Sequence, residues 1–348
     1  MSKIVKIGNV KIGGGNKIAI QSMANIKTEK VDEVVSQILD LEKAGCDIIR
    51  VAVKDFSDAD AIKKIKDKIR IPLVADVHFD YRLAIASIEN GVDKVRINPG
   101  NIGSEENVKA VADCLKRHNC VVRVGSNSGS VEKEYLEKYG KNEISLGESA
   151  LKRVAQLEKY GVEDIVISAK TSSVPTTIKT YRYIAERSSY PLHVGVTEAG
   201  TKRMGIIKSA VGIGSLLVDG IGDTIRVSLT ANPVEEIYAG KDLLRAIGLD
   251  KNYAEIISCP TCGRTEYDME KLAERVCEFT SNISKPVKIA VMGCVVNGPG
   301  EASDCDLGIA GGKGSCVIFK KGKVYKTIKS EEAEREFLKE IKEFVNQP

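Results

Sequence analysis

The sequence predicts an α/β protein, a (β/α)8 TIM barrel over residues 1–250 followed by a small α+β domain over 251–348. A recurring phrase points to the barrel: a helical pattern ends in glycine, an acidic residue follows, and a short β-branched run closes on a polar residue. AGCDIIRVAV (44–53), NGVDKVRINP (90–99), YGVEDIVISA (160–169) and DGIGDTIRVS (219–228) are copies of it. Between them lie KIAIQSM (17–23), PLVADVHF (72–79), CVVRVGS (120–126) and PLHVGVTE (191–198), which completes eight strands. Eight strand–helix units in roughly 250 residues is the size of a TIM barrel. The cysteines mark the second domain, since Cys259, Cys262, Cys277, Cys294, Cys305 and Cys316 all fall in it, while Cys46, Cys114 and Cys120 are scattered upstream.

Taken in order, KIVKIGNVKIGG reads as a hairpin closing the N-terminal end of the barrel. VDEVVSQILDLEKAG (31–45), DYRLAIASIENG (80–91) and ALKRVAQLEKYG (150–161) carry apolar residues at helical spacing and end in glycine, which suits a left-handed helix cap. Alternating strand and helix implies parallel strands. A doubly wound open sheet would normally show a glycine-rich phosphate turn after its first strand, whereas GGG at 13–15 comes before the first long one. The polar stretch 126–147 predicts an extra loop or helix at one rim. The barrel pattern stops near 243–251, with a hinge expected over 244–255. Beyond it the pattern reads strand (EIIS), helix (268–282), strand (287–293), a Gly/Pro-rich loop, a strand through CVIFKKGKVYKTI and a charged helix (330–345).

At 43% hydrophobic and 29% charged the chain is too apolar for disorder. A net charge of +4 gives no general electrostatic footprint for nucleic acid or a membrane surface, so any anion site is local. No apolar run approaches the ~20 residues that cross a bilayer, and the N-terminus lacks the apolar region of a signal peptide. A cytoplasmic protein is expected, in which clustered cysteines point to metal or redox chemistry rather than disulfides.

In a TIM barrel the C-terminal strand ends build the active site. Here they are basic: Arg50, Arg96, Arg123 and Arg226 each close a different strand, Lys170 follows the sixth, and Lys202 and Arg203 follow the seventh. Asp76, His78, Asn98, Asn127, Glu198 and Ser228 lie at the same end. Arginines from separate strands suit a polyanion, because the guanidinium fork binds phosphate bidentately. They could instead pair with Asp47, Asp93, Asp223 or Glu198. Lys170 raises the separate possibility of a Schiff-base aldolase.

In the second domain, Cys259-Pro-Thr-Cys262 and the Cys294 of MGCVVNGPGE supply three thiols, the latter in a loop whose glycines allow close backbone approach. Cys277, Cys305, Asp304 and Glu301 are candidates for a fourth ligand. A zinc ribbon is the alternative, although no second CxxC or HxxxH follows.

SCPTCGR (258–264) and MGCVVNGPGEA (292–302), with SMAN, ADVHFD, RINPGN, RVGSNSGS, VTEAG and RVSLT upstream, resemble the bacterial 4-hydroxy-3-methylbut-2-enyl diphosphate synthase family of the methylerythritol phosphate route to isoprenoids. The resemblance covers nearly the whole chain. It implies an iron–sulfur oxidoreductase with a [4Fe-4S] cluster on Cys259, Cys262, Cys294 and Glu301, which leaves Cys277, Cys305 and Cys316 as ordinary residues. The implied reaction is the two-electron reductive ring opening and dehydration of 2-C-methyl-D-erythritol 2,4-cyclodiphosphate to the allylic diphosphate. Arg50, Arg96, Arg123, Asn127, Lys170, Arg226 and Ser228 match the family's substrate contacts, and Asp76 and His78 lie in a matching motif. Glu198 and Asn297 match residues close to the reacting carbons and the cluster. Flavodoxin or ferredoxin is the implied electron donor, and a homodimer the implied assembly. A pterin-binding barrel would leave the C-terminal cysteines unexplained.

Overall fold

The computed structural model describes residues 1–346 except 128, 130, 296–299 and 301. The chain divides into two compact units, Met1–Leu249 and Asp250–Pro348.

The first unit opens with a hairpin, β1 (Val5–Ile7) and β2 (Val10–Ile12). Eight strands follow: β3 (Ala19–Met23), β4 (Ile48–Ala52), β5 (Leu73–Asp76), β6 (Lys94–Ile97), β7 (Val121–Asn127), β8 (Ile165–Lys170), β9 (His193–Val194) and β10 (Thr224–Ile225). They pair in parallel in the order β8-β7-β6-β5-β4-β3-β10-β9. The circle closes where the Ile167 amide of β8 donates to the Pro191 carbonyl ahead of β9, at 2.9 Å. This is the predicted barrel, with four strands in the copies of the repeated phrase and four in the runs between them.

The helices between the strands are α1 (Val31–Ala44), α2 (Phe56–Lys66), α3 (Tyr81–Glu89), α4 (Glu105–His118), α5 (Lys133–Tyr139), α6 (Glu143–Glu158), α7 (Val174–Ala185), α8 (Lys202–Val218) and α9 (Pro233–Ala246). Short α5 is the extra element expected at the rim after β7. Their apolar faces and the outward strand residues form one continuous core. A separate cluster lies at the barrel floor, where Val5, Ile7 and Ile12 of the hairpin pack on the strand residues Ala19, Ile48, Val74, Val121 and Val166.

The acidic residue of the repeated phrase has a structural task. Asp47, Asp93 and Asp223 accept the backbone N–H groups of Ile20, Leu73 and Leu192 at 2.8, 2.7 and 2.8 Å. Each carboxylate thereby staples the start of its own strand to the start of a neighbouring one. An arginine three residues later is carried to the opposite end, which is why the two types do not pair.

The second unit is a five-stranded sheet in the order β11 (Ala254–Ser258), β12 (Val287–Met292), β13 (Leu307–Gly312), β14 (Ser315–Lys320) and β15 (Lys323–Lys329). The first three strands are parallel and the last two add on as antiparallel hairpins. Helices α10 (Met269–Thr280) and α11 (Ala333–Val345) bury Met269, Leu272, Val276, Phe337 and Ile341 against one face of the sheet.

Two expectations need correcting here. CVIFKKGKVYKTI is not one strand but a hairpin, turned at Lys321 and Gly322, which both have left-handed backbone (φ +47° and +74°). Strand β13 follows the Gly/Pro-rich loop in a stretch to which the sequence pattern assigns no element, because its glycines hide the strand pattern. A Cβ on Gly308 would lie 2.2 Å from the Phe319 ring, and one on Gly311 2.3 Å from the Tyr267 ring, so two aromatics occupy the space that side chains would take.

Phe337 is fully buried between α11 and the sheet. Phe337→Ala is expected to destabilise the C-terminal unit by about 3–5 kcal/mol, read as a lower urea midpoint in far-ultraviolet circular dichroism.

Candidate active site

The strand ends of the barrel converge on one buried carboxylate. Asp76 closes β5, and in the ladder it stands level with Arg96 of β6, which stands level with Arg123 of β7. Arg96 Nη1 lies 3.2 Å from Asp76 Oδ1, Arg50 Nε 3.7 Å from Asp76 Oδ2, and His78 Nε2 3.5 Å from the same oxygen. Burial pushes the Asp76 carboxyl up, but Arg50, the His78 hydrogen bond, Arg96 and Arg123 outweigh it and hold it well below the usual carboxylate range. Gly125 of β7 makes the room, since a Cβ there would lie 2.4 Å from Arg96 Nε.

A second carboxylate serves the far side. Glu236, on α9 and buried, lies 3.3 Å from Arg226 Nε and also accepts from Ser22 Oγ at 3.0 Å and from the Leu229 amide at 3.0 Å. Met23 at the end of β3 packs its sulfur against Arg50, 2.9 Å from Nη2, and against Arg226, 3.8 Å from Nη1.

These two carboxylates do not balance the cations around them. Arg123 is 2% exposed, and its Nε and Nη1 have no hydrogen-bond partner among the described residues; neither has Arg96 Nε. Burial, followed by Arg50 and Arg96, drives the Arg123 guanidinium well below its ordinary value. Burial likewise lowers Arg50, to about 10, with Arg226 and Arg96 adding to the effect and Asp76 opposing it. Lys170 is lowered by burial and then by Arg123, Arg226 and Arg50. Cations gathered this closely with open N–H groups form a site for an anion.

Asn127 stands level with Lys170 in the β7–β8 ladder. Ser228 follows Arg226 on the loop after β10, half-buried. Glu198 is exposed on the loop after β9 and has left-handed backbone, φ +52°, a strained conformation for a residue with a side chain. Asn98 is turned to structure, accepting from the Gly100 amide at 3.2 Å and from Arg153. Lys202 pairs with Glu235 at 3.0 Å on the surface.

Sequence reasoning missed Glu236, because it sits on a helix rather than a strand end. It also missed Lys94, Gln21 and His193, all buried at inward positions. Lys94 Nζ donates to Gln21 Oε1 at 3.0 Å. The signal available was a charged or polar residue in a strand that otherwise reads as apolar, as in DKVRI and PLHVG.

In the second unit, Cys259 follows β11 and Cys294 follows β12. The Gly293 amide donates to Cys259 Sγ at 3.2 Å. The Cys262 thiol is lowered by the Arg264 amide and by the side chains of Arg264 and Thr265, and the same guanidinium reaches Cys294. A Cβ on Gly293 would lie 2.6 Å from Thr265 Oγ1, so glycine is required where the two loops meet. All cysteines are free thiols. Cys277 is exposed on α10, Cys305 and Cys316 are packed in the sheet's core, and Asp304 is bonded to Lys288 at 3.1 Å. Asn297 and Glu301 lie outside the described residues. Among the described residues, the set of metal-ligating groups drawn within 4.8 Å of one another is Glu89, Cys114 and His118, on the helix layer rather than at these loops. Three thiols from two short motifs, beside the cation of Arg264, are a donor set that suits an iron–sulfur group.

Comparison with known proteins agrees in both units. Residues 2–241 match the GcpE TIM-barrel domain and residues 255–343 the GcpE protein C-terminal domain. The chain is 59% identical over 348 residues to a 4-hydroxy-3-methylbut-2-en-1-yl diphosphate synthase (flavodoxin) of Caldanaerobacter subterraneus subsp. tengcongensis, covering 100% of this chain and 98% of the relative. It is 56% identical to the protein of that name in Clostridium perfringens, over 97% of each chain. Among solved structures, dihydropteroate synthases of Stenotrophomonas maltophilia and Yersinia pestis superpose with TM-scores of 0.53 and 0.53 at 13% and 11% identity. They cover 70% and 71% of this chain and 97% and 98% of their own, and they share the barrel fold alone. Among the described residues, no helix is long and apolar enough to cross a membrane.

Asp76→Asn keeps the shape of the side chain but leaves Arg50 and Arg96 without their shared counter-charge. An expected loss of about 3–5 kcal/mol in urea unfolding at pH 7 follows from breaking a buried ion pair. The wild-type advantage is complete above the ordinary carboxylate pKa of about 3.9 and fades as pH falls from there toward the depressed folded value. The two stability curves therefore converge in acid.

Proposed function

The chain belongs to the GcpE family, and we propose that it makes (E)-4-hydroxy-3-methylbut-2-enyl diphosphate by reductive ring opening and dehydration of 2-C-methyl-D-erythritol 2,4-cyclodiphosphate. It is an oxidoreductase of isoprenoid biosynthesis. The observation that supports the substrate class most directly is the set of unbonded N–H groups on Arg123 and Arg96 inside a lumen with excess positive charge.

Arg50, Arg96, Arg123, Lys170 and Arg226 clamp the cyclic diphosphate, and Asn127 and Ser228 add hydrogen bonds at the rim. Asp76 does not meet the phosphates as an anion among cations; it orients Arg96 and Arg50 and, with His78, fixes the edge of the clamp. When the bond between C2 and its phosphate oxygen breaks, negative charge grows on the departing diphosphate. Arginines already desolvated and held in place stabilise that charge without having to reorganise. The C3 hydroxyl leaves as water and must be protonated as it goes, a step assigned to Glu198 as proton donor or charge stabiliser. Its strained backbone is consistent with a side chain held for function.

Cys259, Cys262 and Cys294, with Glu301 as the fourth ligand, would hold a [4Fe-4S] cluster, which supplies the two electrons of the reaction. Thiol sulfur is the ligand type that iron–sulfur clusters use, which supports this reading. Arg264, beside Cys262 and Cys294, offsets the negative charge of the thiolates. Asn297, in the same motif as Cys294, is assigned by the family resemblance to a role close to the reacting carbons. Flavodoxin serves as electron donor, the partner in the relatives' printed names, and the working assembly is a homodimer.

Protein purified without oxygen is expected to be brown and to carry about four irons per chain, with Cys294→Ser losing most of that iron. Colourless wild-type protein without iron after reconstitution would overturn the cofactor. Arg123→Met keeps the side-chain volume and removes the charge. Its kcat/KM in the reductive ring-opening assay is expected to fall by roughly 10- to 150-fold, the worth of one charge-assisted contact of about 1.5–3 kcal/mol. Wild-type kinetics would remove Arg123 from the clamp.

A further inference from the structure

We propose that His193 is a positioning residue that fixes the amino group of Lys170 within the clamp. The inference rests on the reading of Lys170 as a substrate contact and extends it to a residue that touches no substrate.

His193 opens β9 and is completely buried in the lumen. Its Nε2 lies 3.1 Å from Lys170 Nζ, and its Nδ1 lies 2.8 Å from Oγ1 of Thr224, the residue level with it on β10. The lysine nitrogen donates to Nε2, so Nε2 is the acceptor and Nδ1 carries the hydrogen that goes to the threonine hydroxyl. Thr224 thereby selects the tautomer that can receive Lys170. Burial, Lys170, Arg123 and Lys94 all disfavour a charged imidazole, in keeping with a neutral acceptor.

The surroundings are shaped to this pair. A Cβ on Gly195 would lie 2.7 Å from Lys170 Nζ and 2.5 Å from the Arg226 carbonyl, so strand β9 is pared back where the lysine ends. Tyr181 ties the two strands from outside: its hydroxyl donates to the His193 carbonyl at 2.7 Å and accepts from the Ala169 amide at 3.1 Å. Lys170 and His193 are therefore held on one rigid unit.

The need for such a residue is electrostatic. Arg123, Arg226 and Arg50 all act on Lys170 as like charges and tend to drive its ammonium away from the place where a phosphate must be met. A neutral acceptor restrains the nitrogen without consuming the positive charge, which a carboxylate in its place would cancel.

The experiment is a double-mutant cycle on the cluster-loaded enzyme with Lys170→Met, His193→Leu and both together, judged folded by circular dichroism and cluster absorbance. Lys170→Met is expected to lower kcat/KM by roughly 10- to 100-fold, and His193→Leu by roughly tenfold. The double variant is expected to be no worse than Lys170→Met alone, because the histidine acts through the lysine. His193→Gln, which keeps an amide oxygen as acceptor, is expected to recover most of the loss. Wild-type kinetics in His193→Leu, or a loss that multiplies with that of Lys170→Met, would overturn the proposal. Wild-type kinetics in Lys170→Met would overturn the reading beneath it instead. Should His193→Leu fail to fold, Thr224→Val takes its place in the cycle, with a smaller loss that likewise disappears in the Lys170→Met background.

Discussion

Six basic side chains, Arg50, Lys94, Arg96, Arg123, Lys170 and Arg226, are held inside the barrel with Asp76 and Glu236 as the carboxylates among them. Like charges at this density repel and are starved of water, so the arrangement cannot be self-supporting. It persists because the cations are anchored along five parallel strands, Arg50 on β4, Lys94 and Arg96 on β6, Arg123 on β7, Lys170 on β8 and Arg226 directly after β10, and the strands are locked by a continuous apolar core outside and a sealed floor below. The remaining features of the lumen follow from that strain. Asp76 has to be shared by Arg50 and Arg96. Glycine has to stand at 125 and 195, where a side chain would collide with Arg96 and Lys170. A neutral histidine and a methionine sulfur fill places where one more charge of either sign would do harm.

Most of the barrel was legible in the sequence because its two determinants are local. The glycine and β-branched run after a helix marked four strands, and short β-branched runs between those copies marked the other four; both are short-range signals. The acidic residue between them was equally visible, but its role was not, because a carboxylate's partner depends on which neighbouring strand start it reaches. Asp47, Asp93 and Asp223 bond backbone N–H groups at the floor, while the arginines of the same phrases find Asp76 and Glu236 at the opposite end. Sequence proximity was misleading for a simple geometric reason. Three residues of extended strand span about 10 Å.

The second unit was harder to read, since its strands are partly written in glycine. LGIAGG lacks the side chains that mark a strand because Phe319 and Tyr267 lay their rings across it, a tertiary fact with no local trace. The cysteines were legible as a group from their motifs. Their surroundings are visible only in space: Cys305 and Cys316 are absorbed by the core, while Cys259 accepts from the Gly293 amide after β12 and Arg264 lies beside Cys262 and Cys294. Glu236 and His193 escaped sequence reasoning for complementary reasons. One is carried by a helix that no strand-end argument consults, and the other belongs to a phrase whose polar residue reads like ordinary core.

The two sites solve opposite electrostatic problems. The barrel stores positive charge that the free enzyme cannot neutralise, so an anion entering it relieves repulsion as well as gaining hydrogen bonds, and a substrate carrying two linked phosphates gains most. At the loops of the second unit the arrangement is reversed, with the Arg264 cation beside sulfur and the Cys262 thiol lowered by it. A diphosphate leaving carbon carries growing negative charge, and that charge needs to be received by cations already fixed in place. In water, solvent would have to reorganise around the new charge at each turnover. Here the β-strands have done so in advance, and the open N–H groups of Arg123 are where that preparation is exposed.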